Sequence, residues 1–223
     1  LNRDDKFFNF LYQKAKLKKI KVVTFGKTKL SDVNLINVKK NKKIKKIKVR
    51  VKDVILKLQI QDINIYNVLA SLAVLTEFNL NLEKIIPSLK NFQPSKGRGK
   101  IHNIKRYKKN LKLIDESYNA NPFSVKNALS NFSEVIKKKS KKYLLLGDML
   151  ELGKHSKKLH QSIGKIINNT KIDKIFVKGS KVLFTYNSIL KKKKGRILNN
   201  NSQIIDLIKN NLNNNDYLMV KAS

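Results

Sequence analysis

Over residues 101–223, short apolar runs alternate with segments of helical period, and this order constrains the fold more than any other feature of the sequence. It reads strand (101–107), strand (111–115), helix (122–138), strand (142–146), helix (157–168), strand (174–177), helix (182–191), strand (196–198), helix (202–210) and strand (217–220). A parallel strand needs a crossover of about a dozen residues, and a helix supplies it. The pattern therefore predicts an α/β fold, with a mostly parallel sheet and helices on both faces. Residues 1–95 read differently. After a short apolar helix around Phe7, Phe8, Phe10 and Leu11, alternating strands at 21–26, 33–38, 44–51 and 54–60 predict a small antiparallel meander. Helical period then takes over at 64–78, where Val68, Leu69, Leu72, Ala73 and Leu75 share a face, and again at 82–89. Residues 92–100, Phe-Gln-Pro-Ser-Lys-Gly-Arg-Gly-Lys, are the strongest break in the chain. Two domains are expected, 1–95 and 101–223, joined by a linker at 96–100.

In a sheet of this kind ligands sit beyond the carboxyl ends of the strands. The informative places are those where an apolar run breaks into polar residues. The run through Leu111, Leu113 and Ile114 ends in Asp115, Glu116, Ser117, Tyr118 and Asn119, and Asn121-Pro122 opens the next helix. An Asn N-cap with Pro at the first helical position makes an ordinary turn of the last two. The cluster before them reads as a site. A second break, Leu146-Gly147-Asp148-Met149-Leu150-Glu151-Leu152-Gly153, again ends a strand in glycine and carboxylate. In Lys96-Gly97-Arg98-Gly99 two glycines allow close backbone approach and the guanidinium suits a phosphate or carboxylate; a flexible linker explains the same residues equally well. In Asn64-Ile65-Tyr66-Asn67, Asn64 reads as an N-cap, and an amide at Asn67 beside free backbone N–H groups suits a nucleotide. The three histidines, 102, 155 and 160, lack metal-ligand spacing, so no metal site is expected, and His160 reads as a partly buried helix residue. No Walker A, G-x-G-x-x-G or G-x-S-x-G motif is present.

The formal net charge of +35 raises the question of nucleic acid. Only five of the fifty basic residues are arginine (3, 50, 98, 106 and 196), the residue that base readout favours, and the lysines are spread over every segment. The charge reads as a solvated surface whose field gathers anionic substrates, with no specific nucleic acid expected. A basic nucleic-acid-binding α/β protein remains the alternative. No run approaches the roughly 18–20 apolar residues of a membrane helix, and the N-terminus, Leu-Asn-Arg-Asp-Asp, does not read as a signal peptide. The absence of cysteine excludes disulfides and fits a cytoplasmic protein.

Taken in order, the motifs resemble the Mur ligases of peptidoglycan synthesis. Asp115-Glu116-Ser117-Tyr118-Asn119-Ala120-Asn121-Pro122 is similar to the family's D-[DE]-S-Y-N-A-N-P, and the 146–153 run followed by His160 is equally typical. Asn64-Ile65-Tyr66-Asn67-Val68-Leu69-Ala70 is similar to H-N-x-x-N-A-L-A, Lys96-Gly97-Arg98 to the linker arginine, Leu1–Asp5 to L-N-x-D-D and Val220–Ser223 to V-K-G-S. The resemblance is closest to the branch that joins D-alanyl-D-alanine to UDP-N-acetylmuramoyl-tripeptide. It implies that residues 1–95 are the second half of a central ATP-binding domain and that 101–223 are a C-terminal Rossmann-like domain. The implied reaction uses ATP and Mg²⁺ to phosphorylate a carboxylate, and the dipeptide amine then attacks the acyl phosphate.

Carried over by motif, Asn64 and Asn67 would contact adenosine. Arg98 with Asp115 or Glu116 would hold ribose or phosphate. Tyr118, Asn119, Asn121 and Asp148 would line the dipeptide side. A cytoplasmic monomer is expected. Three positions depart from the pattern: Ile63 for His, Glu116 for Asp and Ala222 for Gly. Both ends read as cut within a pattern. Without the phosphate-binding loop and the uridine-nucleotide domain, this segment alone is expected to lack ligase activity. A non-catalytic interaction domain of the same descent is the other alternative.

Overall fold

A computed structural model of the chain describes all residues except 42–43, 61–63, 79, 81, 91, 93–94 and 136–139. The chain forms two compact units, Leu1–Gln93 and Pro94–Ser223.

In the first unit, helix α1 (Phe8–Leu17) precedes strands β1 (Phe25–Gly26), β2 (Val33–Asn41), β3 (Ile44–Val51) and β4 (Val54–Ile60), then helices α2 (Ile65–Leu75) and α3 (Leu82–Lys90). β2, β3 and β4 form the antiparallel meander that alternation predicts. β1 is shorter than the expected 21–26 strand and runs parallel to β2. The residues before it are occupied differently: Val23 O accepts from the Leu1 amino group, and the Thr24 side chain and amide engage Asp32. Ile47, Val49 and Val51 of β3 and Leu56, Leu58 and Ile60 of β4 alternate onto one face, where Val68, Leu69, Leu72 and Ala73 of α2 cover them. α2 ends at Leu75 and tightens into a single 3₁₀ turn, Thr76–Phe78.

The second unit is a six-stranded sheet in the order β5 (Lys100–Arg106), β6 (Lys109–Glu116), β10 (Tyr217–Lys221), β7 (Lys142–Gly147), β8 (Lys174–Lys178), β9 (Lys194–Ile197). Only β5–β6 is antiparallel. Helices α4 (Pro122–Ser133), α5 (Ser156–Asn168) and α6 (Leu183–Asn187) cover one face, packing Val125, Leu129, Phe132, Ile163 and Ile167 on Leu144, Leu146, Ile175 and Val177. The opposite face, from Tyr143, Leu145, Phe176 and Leu218, packs on Leu207 beyond α7 (Asn201–Asp206) and on Leu212.

Several boundaries differ from the sequence reading. α4 stops at Ser133, and the rest of the expected 122–138 helix runs into residues that lie partly outside those described. α6 is five residues long, because the chain turns at Ser188 to bury Ile189 and then makes a 3₁₀ turn at Lys191–Lys193. The last helix widens into a π-helical turn over Leu207–Asn211, which seats Leu207 in the core. The β5–β6 hairpin turns on Tyr107 and Lys108, both at positive φ (52° and 56°). This is the sense that the right-handed twist of a two-residue hairpin requires, here without the usual Asn-Gly.

Candidate active site

β10 lies between β6 and β7, so Lys221 is in register with Glu116 on one side and Leu146 on the other. The chain leaves β6 for β7 by α4 and returns to β10 by α7. The carboxyl ends of these three strands form the switch point where ligands of open α/β sheets bind. Four sequence motifs reach this edge.

The Asp115–Tyr118 turn is tied to the segment before β5. Asp115 accepts hydrogen bonds from the Gly97 amide (3.0 Å), the Ser117 amide (3.2 Å) and the Ser117 hydroxyl (2.6 Å). The Gly99 amide donates to Asp115 O (2.7 Å), and the Tyr118 amide to Gly97 O (3.1 Å). The Ser117 hydroxyl bond holds the Asp115 carboxyl below its ordinary value, against the opposing effect of burial. Gly97 and Gly99 take φ of +78° and +87°, and a Cβ on Gly97 would meet Tyr118 at 3.0 Å. This clamp places the Arg98 guanidinium 4.0 Å above the Tyr118 ring. The stack fixes an exposed cation without using its N–H edge, an arrangement suited to a phosphate or carboxylate.

Beside this turn, Lys221 donates to the main-chain carbonyls of Glu116 (3.2 Å) and Asn119, and its ammonium lies 3.7 Å from Glu116 Oε2. Burial pushes the Glu116 carboxyl up and the Lys221 ammonium down, and each partner offsets only part of the other's shift. The Ser223 hydroxyl bonds Ala120 N and O (both 2.9 Å), Asn119 Oδ1 (3.2 Å) and Leu150 N (3.4 Å). It thereby joins the loops after β6, β7 and β10. Ala222 fits where glycine is usual because Gly147 faces it across the strand pair: a Cβ on Gly147 would come within 2.6 Å of Ala222 Cβ.

Asn121 caps α4 by accepting from the Ser124 amide (2.8 Å), while Ser124 Oγ accepts from the Asn121 amide (3.1 Å), a reciprocal capping box. Asp148 accepts from the Val182 amide (2.7 Å) and so anchors the loop that opens α6. His160 is fully buried; its Nε2 accepts from the Met149 amide (3.2 Å) and its Nδ1 bonds Ser156 O (2.8 Å). It holds the 147–153 loop and does not reach the mouth of the site. The edge thus brings together Arg98, Asp115, Glu116, Tyr118, Asn119 and Asp148.

Asn64 and Asn67 stand at the start of α2 in the first unit. Asn64 accepts from the Tyr66 amide (2.9 Å), and Asn67 is exposed in the first turn. Ile63 lies outside the described residues. Tyr66 OH donates to Asp4 Oδ2 (3.0 Å), and Asp4 also accepts from the Lys27 amide (2.6 Å), the Thr28 amide (3.1 Å) and the Thr28 hydroxyl (2.6 Å). Burial alone would raise the Asp4 carboxyl; these bonds outweigh it and leave the group below its ordinary value. A depressed carboxyl stabilises the fold above the unfolded pKa and loses that contribution as pH falls through the folded one. Asp4→Asn is expected to lower stability by about 1 kcal/mol near neutral pH, a figure held down because the group is mostly exposed. The difference from wild type should shrink as the pH falls below about 4. Urea unfolding at several pH values measures this, and a difference unchanged in acid would contradict it.

Sequence reasoning missed Lys221, Ser223 and Asp4 as parts of these arrangements. The signal for Lys221 was a charged residue closing an apolar strand, where a buried cation needs partners.

With this geometry in hand, the family follows. The profile of the Mur ligase family, glutamate ligase domain, matches residues 97–223, and the chain belongs to that family. It is similar to the UDP-N-acetylmuramoyl-tripeptide–D-alanyl-D-alanine ligases of Bacillus subtilis (strain 168), at 29% identity over 163 residues, and of Buchnera aphidicola subsp. Baizongia pistaciae (strain Bp), at 32% over 162. Each alignment covers 72% of this chain, and 35% and 33% of the respective relative. The fold is similar to a crystal structure of the MurF ligase from Thermotoga maritima in complex with ADP, with a TM-score of 0.73 at 20% identity, covering 97% of this chain and 48% of that one. The chain therefore spans about a third of the curated relatives' length and about half of the solved one. No helix among the described residues is long and apolar enough to cross a membrane.

Proposed function

We propose that this chain is part of an ATP-dependent ligase that joins D-alanyl-D-alanine to UDP-N-acetylmuramoyl-tripeptide in the cytoplasm, acting as a monomer. The observation that carries the reading is the Asp115–Asn121 turn at the sheet's switch point, clamped to Arg98, in a chain similar to the named relatives. Residues 1–95 are the second half of the central ATP-binding domain, 96–100 the linker and 101–223 the C-terminal domain. In this scheme the γ-phosphoryl of ATP passes to the tripeptide carboxylate, leaving ADP. The dipeptide amine then attacks the acyl carbon, phosphate departs, and the amine gives up a proton.

Within the second unit, Arg98 and Glu116 meet ribose or phosphate. Asp115 contributes by fixing the Gly97–Arg98 segment. Tyr118, Asn119, Asn121 and Asp148 face the dipeptide, the last two through the loops they anchor. In the first unit, Asn64 and Asn67 at the start of α2 meet adenosine. A Mg²⁺ ion would neutralise the phosphates. Among the described residues no three His, Asp or Glu side chains gather as a metal site, so no step is assigned to it through this chain. The test is phosphate release by the complete protein with ATP, the nucleotide tripeptide and the dipeptide, each omitted in turn. Release that needs all three is expected. Turnover with a single amino acid in place of the dipeptide would overturn the substrate assignment.

A further inference from the structure

Among the described residues, three lysines of the second unit are buried: Lys142, Lys193 and Lys221. Lys142 serves the carbonyl of Ser133 near the end of α4, and Lys193 those of Thr170 and Ile172 after α5. Both complete turns remote from the switch point. Lys221 differs. It is 3% exposed, ends β10 at the switch point and, among the described residues, is the one of the three that lies within 4 Å of a carboxylate. Burying an ammonium costs several kcal/mol unless its partners are well placed, and an apolar residue would continue the strand without that cost. Lys221 spends its donors on the two carbonyls that bracket the Glu116–Asn119 turn and faces the carboxylate of Glu116 itself.

We propose that Lys221 is a positioning residue: it fixes the 116–119 turn and aims the Glu116 carboxylate outward as the acceptor for a ribose hydroxyl of the nucleotide. This rests on the ligase reading only for the identity of the nucleotide. The charged groups facing Glu116 are Lys221 on β10, Asp115 beside it on β6 and Arg98 on the segment before β5. Gly99 packs against its other oxygen, for a Cβ there would lie 2.9 Å from Oε1. Without the ammonium, Glu116 keeps its burial and its acidic neighbour and retains only the exposed guanidinium as a cation. Its carboxyl then takes up a proton at higher pH, and a protonated carboxyl offers the hydroxyl a weaker acceptor.

The test is calorimetric binding of ADP to the complete protein, from acid to neutral pH, for wild type, Lys221→Met, Lys221→Arg and Glu116→Gln. Melting curves check that each variant folds. Lys221→Met should weaken ADP about tenfold at neutral pH, the worth of a hydrogen bond to a charged group, and move the acid loss of binding to higher pH. Lys221→Arg should recover most of the affinity. Glu116→Gln should bind about as weakly as Lys221→Met with no acid limb, and the double variant should be no worse than either single one. A folded Lys221→Met variant with wild-type affinity and an unmoved acid limb overturns the proposal. If Lys221→Met does not fold, Glu116→Gln decides, and an acid limb unchanged in that variant overturns it. Wild-type protein that binds no ADP at any pH also overturns it. Protein that binds ADP but shows no dipeptide-dependent phosphate release defeats the ligase reading and leaves the role of Lys221 standing.

Discussion

Replacing Gly97 with alanine is expected to lower the stability of the second unit by about 2–5 kcal/mol and to release Arg98 from its stack. Two effects add. Gly97 sits at φ +78°, in the left-handed region where an L side chain costs about 1–2 kcal/mol. A Cβ would also lie 3.0 Å from both the amide nitrogen and the Cβ of Tyr118, and crowding in a packed environment costs about 1–3 kcal/mol. Neither neighbour is the far end of a flexible side chain, so relief requires moving the backbone of the turn. That backbone is held by the Gly97 amide on Asp115 and the Tyr118 amide on Gly97 O, and both bonds must loosen together. Gly153 provides the internal control. It has φ +51° and nothing within 4 Å of a Cβ, so Gly153→Ala should lose only the conformational part. Denaturant midpoints of the two variants measure the difference. Equal losses would show that the clamp does not constrain position 97. A larger loss at Gly97 with weakened ADP binding is the expected result, because the stacked guanidinium is the group the clamp presents.

The same residues show what could be read from sequence and what could not. The parallel sheet followed from alternation, since buried strands and amphipathic crossovers leave different periods. Helix starts at Asn64 and Asn121 followed from capping chemistry, which is local and repeats the same geometry wherever it occurs. The β5–β6 hairpin turned on Tyr107 and Lys108, residues with no turn signature, because strand pairing imposed the left-handed conformation on whatever stood there. At the candidate site the polar cluster was legible, but the division of labour within it was not. A sequence cannot distinguish an Asp whose carboxylate meets a ligand from one, like Asp115, whose carboxylate is taken up by amides eighteen and two residues away. Lys221 was hidden for a different reason. In a chain with fifty basic residues a lysine closing an apolar strand is only a weak mark, and its meaning comes from the strand order that sets it between β6 and β7.

His160→Ala should produce the other large effect, a loss of about 3–5 kcal/mol together with disorder of the loop after β7. The ring is fully buried among the core of α5, so truncation leaves a cavity of the kind that costs about 2–5 kcal/mol. It also removes the partner of a buried amide. Nε2 accepts from Met149 N–H, which requires the proton on Nδ1, where it is donated to Ser156 O. An unpaired buried N–H costs about 1–3 kcal/mol, and the loop has an easier escape, which is to swing Met149 toward water. That motion would carry Asp148 and Leu150 with it and break their links to Val182 N and the Ser223 hydroxyl. On the ligase reading proposed above, the expected signature in the complete protein is therefore selective: the KM for the dipeptide rises, while ADP binding changes little. Amide hydrogen exchange gives a direct reading, since Met149 N–H should lose its protection in the variant ahead of the β7 amides. Gln in place of His160 can still accept from Met149 with its carbonyl and donate with its amide, so His160→Gln should recover part of both the stability and the dipeptide KM. If His160→Ala weakened ADP and dipeptide to the same extent, His160 would be acting on the whole sheet edge and not through the Met149 amide.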